Sequence, residues 1–326
     1  MKAAVYDRYG PPDVVTVQDV EKPVPNDDQV LIRIHSAVVT TTDLVARRGS
    51  PFVARMAFGL TRPKVRTLGT ELAGEIEAVG KQVTRFKPGD QVYAASGTAF
   101  GAHAEYICLP EDGAIGAKPD NVTYEEAAAI CEGALTALPF LRDSGKIKAG
   151  DTVLINGASG SVGTAAVQLA KYFGAEVTAV CSTANVELVR SLGAARVLDY
   201  TTEDFTRASN AYDIIFDTVG KSSFSRCKGA LKEKGIYLST VAAPGIFIDM
   251  LLTSRSSGRR AMITFTGLRP PADKAKDLAF IKELVEARRI RAVLGGRYRL
   301  DEIVEAYQYV ATGHKTGNCV LTIAAA

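Results

Sequence analysis

The stretch Val153-Leu154-Ile155-Asn156-Gly157-Ala158-Ser159-Gly160-Ser161-Val162-Gly163 constrains this chain more than any other. Three apolar residues predict a short buried strand, small residues turn the chain, and Val167, Leu169, Ala170 and Phe173 mark a helix behind the turn. Glycines 157, 160 and 163 let the backbone approach a pyrophosphate, whose charge would face the unpaired N–H groups that open the helix. A second predicted strand, Glu176–Cys181, lies close behind, and this strand–helix–strand setting gives the glycine spacing its meaning. Residues Gly157 to Gly163 therefore read as a dinucleotide-binding turn, with a plain tight strand–helix turn as the alternative. Other motifs fail. No lysine accompanies Val162-Gly163-Thr164 as a P-loop requires, and Ser161 stands where a nucleophile elbow needs its last glycine. No tyrosine has a lysine four residues on.

Residues 1 to about 120 read as short strands: Lys2–Tyr6, Val14–Gln18, Gln29–Ala37, Leu72–Val79, Gln91–Ala95 and Ala104–Leu109. Turns such as Tyr9-Gly-Pro-Pro12 and Lys87-Pro-Gly-Asp90 separate them. One helix is predicted from near Thr42 to just before Gly49. The segment 50–66 reads either as a partly exposed apolar lid or as a packed surface helix. At Thr123-Tyr-Glu-Glu126 a capping box begins a helix, and strands then alternate with helices: Thr152–Asn156, Glu176–Cys181, Arg196–Leu198, Asp213–Asp217, Ile236–Thr240 and Met262–Phe265. Six such runs predict a doubly wound parallel sheet with helices on both faces. Helix Asp273–Ala287 is expected to close this block, and Tyr298–Leu300, helix Asp301–Ala311 and strand Cys319–Ile323 to return to the first domain. The fold class is α/β, with a β-barrel-like domain (1–122 and 290–326) split by a dinucleotide domain (123–289).

With 326 residues, 47% hydrophobic and 23% charged, the chain can bury two cores. A net charge of +3 spread along it gives no nucleic-acid or membrane surface, and no apolar run reaches the roughly 18 residues of a spanning helix. Met1–Tyr6 reads as a strand, not a signal peptide. Five scattered cysteines predict a reducing cytoplasm and no disulfide framework.

Cofactor choice turns on the end of the second strand. An NAD site places an acid about 20 residues beyond the first glycine. Here the chain reads Cys181-Ser182-Thr183-Ala184-Asn185, without an acid. Such donors suit a 2′-phosphate, and Tyr200 at the next strand end adds another. The expectation is NADP(H).

Gly69-Thr-Glu-Leu-Ala-Gly-Glu75, Lys87-Pro-Gly-Asp90, Gly133-Ala-Leu-Thr136-Ala, the glycine turn and Gly313-His-Lys-Thr-Gly317, in this order, resemble the medium-chain dehydrogenase/reductase superfamily. The resemblance is strongest to its zinc-independent quinone oxidoreductase branch and covers essentially the whole chain. It implies a GroES-like β-barrel catalytic domain, a Rossmann domain, NADPH in the cleft and a homodimer. It also places Asp217, Val219, Ser239, Thr240 and Val241 at cofactor-lining strand ends. Zinc-dependent members bind catalytic zinc through Cys, His and a third Cys or acid. The matching positions are Thr40, Thr70 and Glu132 (or Cys131), and the four-cysteine structural lobe is missing, so no metal is expected. His35 reads as core, His103 as a surface turn in preference to a cleft position, and His314 as a C-terminal turn. Thr40, Asp43 and Thr70 are the candidate catalytic-cleft residues, with no acid or base assigned; Asp43 reads equally as a helix-start charge. Thr136 matches the family threonine near the nicotinamide, or simply bonds backbone. The chain departs from the branch pattern at Thr40 (commonly Asn), Asn185 (commonly basic) and Asn318 (commonly Lys or Arg), where a cofactor contact is expected. The resemblance implies NADPH-dependent hydride transfer to quinones or α,β-unsaturated carbonyls. Alternatives are an alcohol or aldehyde reductase, or an NADPH-binding sensor or structural protein.

Overall fold

In a computed structural model the described residues are 1–52, 54–255 and 257–323. Val53 of segment 50–66, Ser256 and the last three residues of the expected barrel return lie outside them. The chain forms two compact units, Met1–Glu132 with Gly267–Ala326, and Gly133–Thr266. These bounds follow compactness, whereas the bounds read from the sequence follow pattern; the two divisions differ over 123–132 and 267–289.

The first unit begins with the antiparallel pair β1 (Lys2–Val5) and β2 (Thr16–Asp19). Then come β3 (Gln29–Val39), α1 (Thr41–Arg48), α2 (Ala54–Phe58), β4 (Glu71–Val79), β5 (Gln91–Ala95), β6 (Tyr106–Pro110) and β7 (Ala114–Ala117). Helix α3 (Tyr124–Pro139) starts on the expected capping box: Thr123 N donates to Glu126 Oε2 at 2.8 Å, and Glu126 N donates to Thr123 Oγ1 at 3.2 Å. The second unit holds β8 (Thr152–Asn156), α4 (Ser161–Tyr172), β9 (Glu176–Cys181), α5 (Val186–Ser191) and β10 (Arg196–Asp199). It continues with β11 (Tyr212–Asp217), α6 (Phe224–Cys227), β12 (Leu231–Ser239), α7 (Pro244–Thr253) and β13 (Arg260–Ile263). The chain returns to the first unit through α8 (Pro271–Glu286), β14 (Leu294–Arg299), α9 (Ile303–Ala311) and β15 (Asn318–Thr322).

The first unit's main sheet runs β14-β15-β3-β4-β5-β7, with β6 also on β3. Val30, Ile32, Ile34, Leu72, Ile76 and Val92 fill its core. Helix α1 starts at Thr40 through a capping box with Asp43 and stops at Gly49, whose φ of 56° favours glycine. Helix α8 corrects the sequence reading. Leu278, Ile281, Leu284 and Val285 are buried as their spacing predicts, but within the first unit, against β7. A Cβ on Gly116 would sit 3.0 Å from Leu278 Cβ, and Tyr93 donates its hydroxyl proton to the Leu278 carbonyl. Spacing marked the apolar face but not the sheet that covers it. His103 is a second correction, because its ring is fully buried, bonded to Val38 O (2.9 Å) and Tyr307 OH (3.0 Å). Gly-Ala-His-Ala reads as a turn only until β3 and α9 close over it. His35 is buried and stacks on Tyr124 at 4.3 Å, while His314 is exposed in its turn.

The second unit's sheet is wholly parallel, ordered β10-β9-β8-β11-β12-β13. Counted within the unit this is 3-2-1-4-5-6, the order in which strand polarity of connection reverses between the first and fourth strands and opens a crevice at their carboxyl ends. Val153, Leu154, Ile155, Ile215 and Phe216 are fully buried in the two strands that flank that point. No helix among the described residues is long and apolar enough to cross a membrane.

Candidate functional site

The carboxyl ends of β8, β9, β11 and β12 bring together most of the residues singled out from the sequence in the second unit. After Asn156 the chain turns at Gly157 (φ 80°), Gly160 N donates to Gly157 O at 3.1 Å, and α4 begins. No side chain caps α4 at Gly160. The three glycines differ in duty. A Cβ on Gly163 would lie 2.1 Å from Gly157 O and 2.7 Å from Ala158 Cα, so this glycine lets helix and strand close up. A Cβ on Gly160 would meet only Gly157 O, at 3.5 Å. Its space is otherwise open. Ala158 is fully buried and Ser161 nearly so; Ser159 and Val162 are partly exposed. Gly133 on α3 lets that helix approach the turn, since a Cβ there would fall 2.7 Å from Ser161 O. Thr136, one turn further along, is partly exposed.

Beside the turn, Cys181 ends β9 fully buried, and burial pushes its thiol up to about 11. Ser182 accepts from Asn185 Nδ2 at 3.2 Å, and Tyr200 is exposed with its N–H on Cys181 O at 3.1 Å. Across the switch point Asp217 is fully buried. Its carboxylate accepts from Asn156 Nδ2 (3.0 Å), Val219 N (3.1 Å), Gly220 N (2.9 Å), Ser222 N (3.0 Å) and Tyr237 OH (2.9 Å). That carboxylate is spent on shaping the loop, and the loop presents Val219 to solvent. Ser239 is buried and accepts from Val241 N at 3.2 Å, Thr240 N donates to Asp217 O at 3.1 Å, and Val241 is exposed. The result is a rim of glycine backbone, small hydroxyls and two exposed valines.

The first unit holds the other candidates. Thr40 Oγ1 and N both donate to Asp43 Oδ2 at 2.8 Å, and Gly69 N donates to Asp43 Oδ1 at 2.8 Å. Asp43 is fully buried, so its carboxylate holds Thr40 and Gly69 in place. Thr70 Oγ1 donates to Glu71 Oε2. Desolvation, with Glu132 adding repulsion, pushes the Glu71 carboxyl up to about 8. Glu132 Oε2 is buried without a hydrogen-bond partner among the described residues, and burial raises that carboxyl too. The sequence marked Glu132 only as the match to a zinc-ligand position and gave Glu71 no role, because the shifts of both come from burial and from neighbours distant along the chain. Asn318 is buried, its Nδ2 on Val293 O at 3.2 Å.

Zinc does not fit this donor set. At the matching positions two threonine hydroxyls are already donating to Asp43 and Glu71, and Cys131 Sγ points to Ala94 O at 3.5 Å. Among the described residues no three His, Cys, Asp or Glu side chains converge as metal ligands.

Two family models match the chain: alcohol dehydrogenase GroES-like domain over residues 26–120, and zinc-binding dehydrogenase over 192–321. The chain is 32% identical to the 2-methylene-furan-3-one reductase of Solanum lycopersicum over 98% of its own length and 79% of the relative's. It is 30% identical to the chloroplastic NADPH-dependent alkenal/one oxidoreductase of Arabidopsis thaliana, covering 98% and 79% respectively. The solved quinone oxidoreductase from Coxiella burnetii superposes with a TM-score of 0.89 at 30% identity, over 99% of both chains.

Proposed function

The chain belongs to the medium-chain dehydrogenase/reductase superfamily, in its quinone oxidoreductase-like branch, and from that premise we propose that it is an NADPH-dependent oxidoreductase reducing quinones or α,β-unsaturated carbonyls without a metal. One observation carries the reading: an uncapped helix start at the sheet's switch point, with Gly160 open toward the space an anion would fill. The Arabidopsis relative is named for NADPH and for alkenals and alkenones, and the Coxiella neighbour for quinones. In this proposal the backbone from Gly157 to Gly163 holds the diphosphate. Ser182, Asn185 and Tyr200 meet the adenine-side ribose and its phosphate. Thr136, Val219, Ser239, Thr240 and Val241 flank the nicotinamide half, with Asp217 positioning the loop and Asn318 a further contact. The bound nicotinamide supplies a hydride.

The acceptor class follows from the donor set. A plain ketone leaves alkoxide charge that, in zinc enzymes, the metal stabilises. A conjugated acceptor spreads that charge to a remote oxygen within reach of water or a hydroxyl, so orientation and water exclusion suffice. Thr40 and Thr70 are the proposed hydroxyls, each oriented by its carboxylate partner. Residues 123–289 are assigned to NADP binding, and 1–122 with 290–326 to the substrate. A homodimer is supported by β13 standing at the sheet edge beside exposed Phe247, Ile248, Leu251 and Leu252 of α7. Free cysteines support a reducing cytoplasmic setting.

Steady-state reduction of 9,10-phenanthrenequinone with NADPH tests the activity. The expected result is turnover unchanged by a chelator. NADPH binding with no absorbance loss across several quinones and enones would refute it, and turnover lost with a chelator would refute the metal-free site.

A further inference from the structure

The end of the third strand of the parallel sheet carries an acid that the cofactor reading has not used. Asp199 closes β10 directly opposite Cys181, the last residue of β9. Its carboxylate accepts from Thr183 Oγ1, two residues beyond the β9 end, and from Thr201 N (2.9 Å) and Thr201 Oγ1 (2.7 Å). These bonds hold it below the ordinary carboxylate range, so it is charged at neutral pH. No Lys or Arg among the described residues pairs with it; Arg190 and Arg196, on the neighbouring turns, are engaged by Glu187 and Glu203.

In sheets of this order the ribose hydroxyls are read at the end of the second strand, by an acid when the cofactor is NADH and by a basic residue when it is NADPH. Here β9 ends without either, in the neutral pair Ser182 and Asn185. The acid arrives from the adjacent strand instead, tied to Thr183 on the same rim. Neutral donors serve a hydroxyl or a phosphate alike. A carboxylate with no cation beside it does not: it accepts from a hydroxyl and repels a phosphate carrying close to two negative charges.

We infer that Asp199 sets the cofactor discrimination of this chain, accepting from the 2′-hydroxyl of NADH and opposing the 2′-phosphate of NADPH, so that both dinucleotides are used. The inference rests on the dinucleotide reading above and limits the NADPH preference that the second strand alone would give.

Calorimetric titration of the full chain with NADPH, NADH, 2′,5′-ADP and 5′-AMP tests it, for wild type, Asp199→Asn and Asp199→Ser. Wild type is expected to bind NADPH and NADH within about tenfold of each other. Each variant is expected to shift the ratio of dissociation constants toward NADPH by about tenfold, with 2′,5′-ADP tightening and 5′-AMP not. Serine keeps an oxygen for the Thr201 N–H, so a turn loosened in the Asn variant still leaves a decisive measurement. An unchanged ratio in folded variants, or a wild type preferring NADPH more than about a hundredfold, overturns the inference. Because the readout is binding, the expected shift supports it even if no acceptor is reduced. A wild type that binds neither dinucleotide overturns it together with the reading it rests on.

Discussion

Replacing Gly163 and Gly160 separately by alanine splits the two duties of the glycine turn. At Gly163 the new Cβ has 2.1 Å to Gly157 O and 2.7 Å to Ala158 Cα, both backbone atoms. Ordinary contact begins at 3.4 Å, so helix α4 must retreat from β8 by about 1.3 Å. The fully buried faces of Ala166, Val167 and Ala170 retreat with it. Strain and lost packing of this size cost about 3 kcal/mol. For a unit of this length that is a fall of roughly 6–12 °C in Tm. Gly160 has φ −77°, which alanine adopts freely, and its Cβ meets only Gly157 O at 3.5 Å. Gly160→Ala is therefore expected to keep Tm or raise it slightly, by about 0.4–1 kcal/mol from a stiffer unfolded chain. Dinucleotide affinity should fall in both variants, by about tenfold or more, because in Gly160→Ala the methyl occupies the anion's space. Thermal unfolding and calorimetric titration with NADPH measure the pair. A Gly160→Ala protein that is stable and binds NADPH as well as wild type would refute the assignment of this turn to a diphosphate. A Gly163→Ala protein with unchanged Tm would refute the packing argument.

Asp43→Ala removes a fully buried carboxylate and leaves Gly69 N and Thr40 N without their acceptors. The expected cost is about 3–4 kcal/mol, read as a Tm drop near 10 °C, and a Tm within about 2 °C of wild type would contradict the positioning role. Glu71 carries the pH dependence. Its carboxyl stands at about 8 in the folded chain against an ordinary 4.5, so unfolding releases a proton between those values. Its contribution to stability is thus complete below about pH 4.5 and is lost as pH rises through about 8. Glu71→Gln, which cannot ionise, should therefore gain on wild type by roughly 4 kcal/mol between about pH 5 and pH 9. Parallel Tm curves for the two proteins over that range would sink the claim.

Local chemistry was legible in the residues themselves. Thr123 with Glu126 announces its capping box, because such bonds span three residues and need nothing from the rest of the chain. Alternating apolar runs gave the parallel sheet, and strand β5 falls where its pattern put it. Strand β7, four residues long with a glycine, left no such pattern and came only from its pairing with β5. Turn spacing and the missing acid after Cys181 likewise needed no coordinates. What a residue faces was a different matter. Periodicity showed that α8 has an apolar stripe, but only the sheet around Gly116 decided where it lies. Asp217 read as a cofactor-lining strand end, and only the structure shows its carboxylate bracing its own loop, since five donors from β8, β12 and the loop itself converge on it. Asp199 looked unremarkable 18 residues past Cys181, until strand pairing set the two side by side. The physical reason is common to all three. Propensity and capping act along the chain, whereas burial, charge and access depend on partners that only the closed sheet brings within reach.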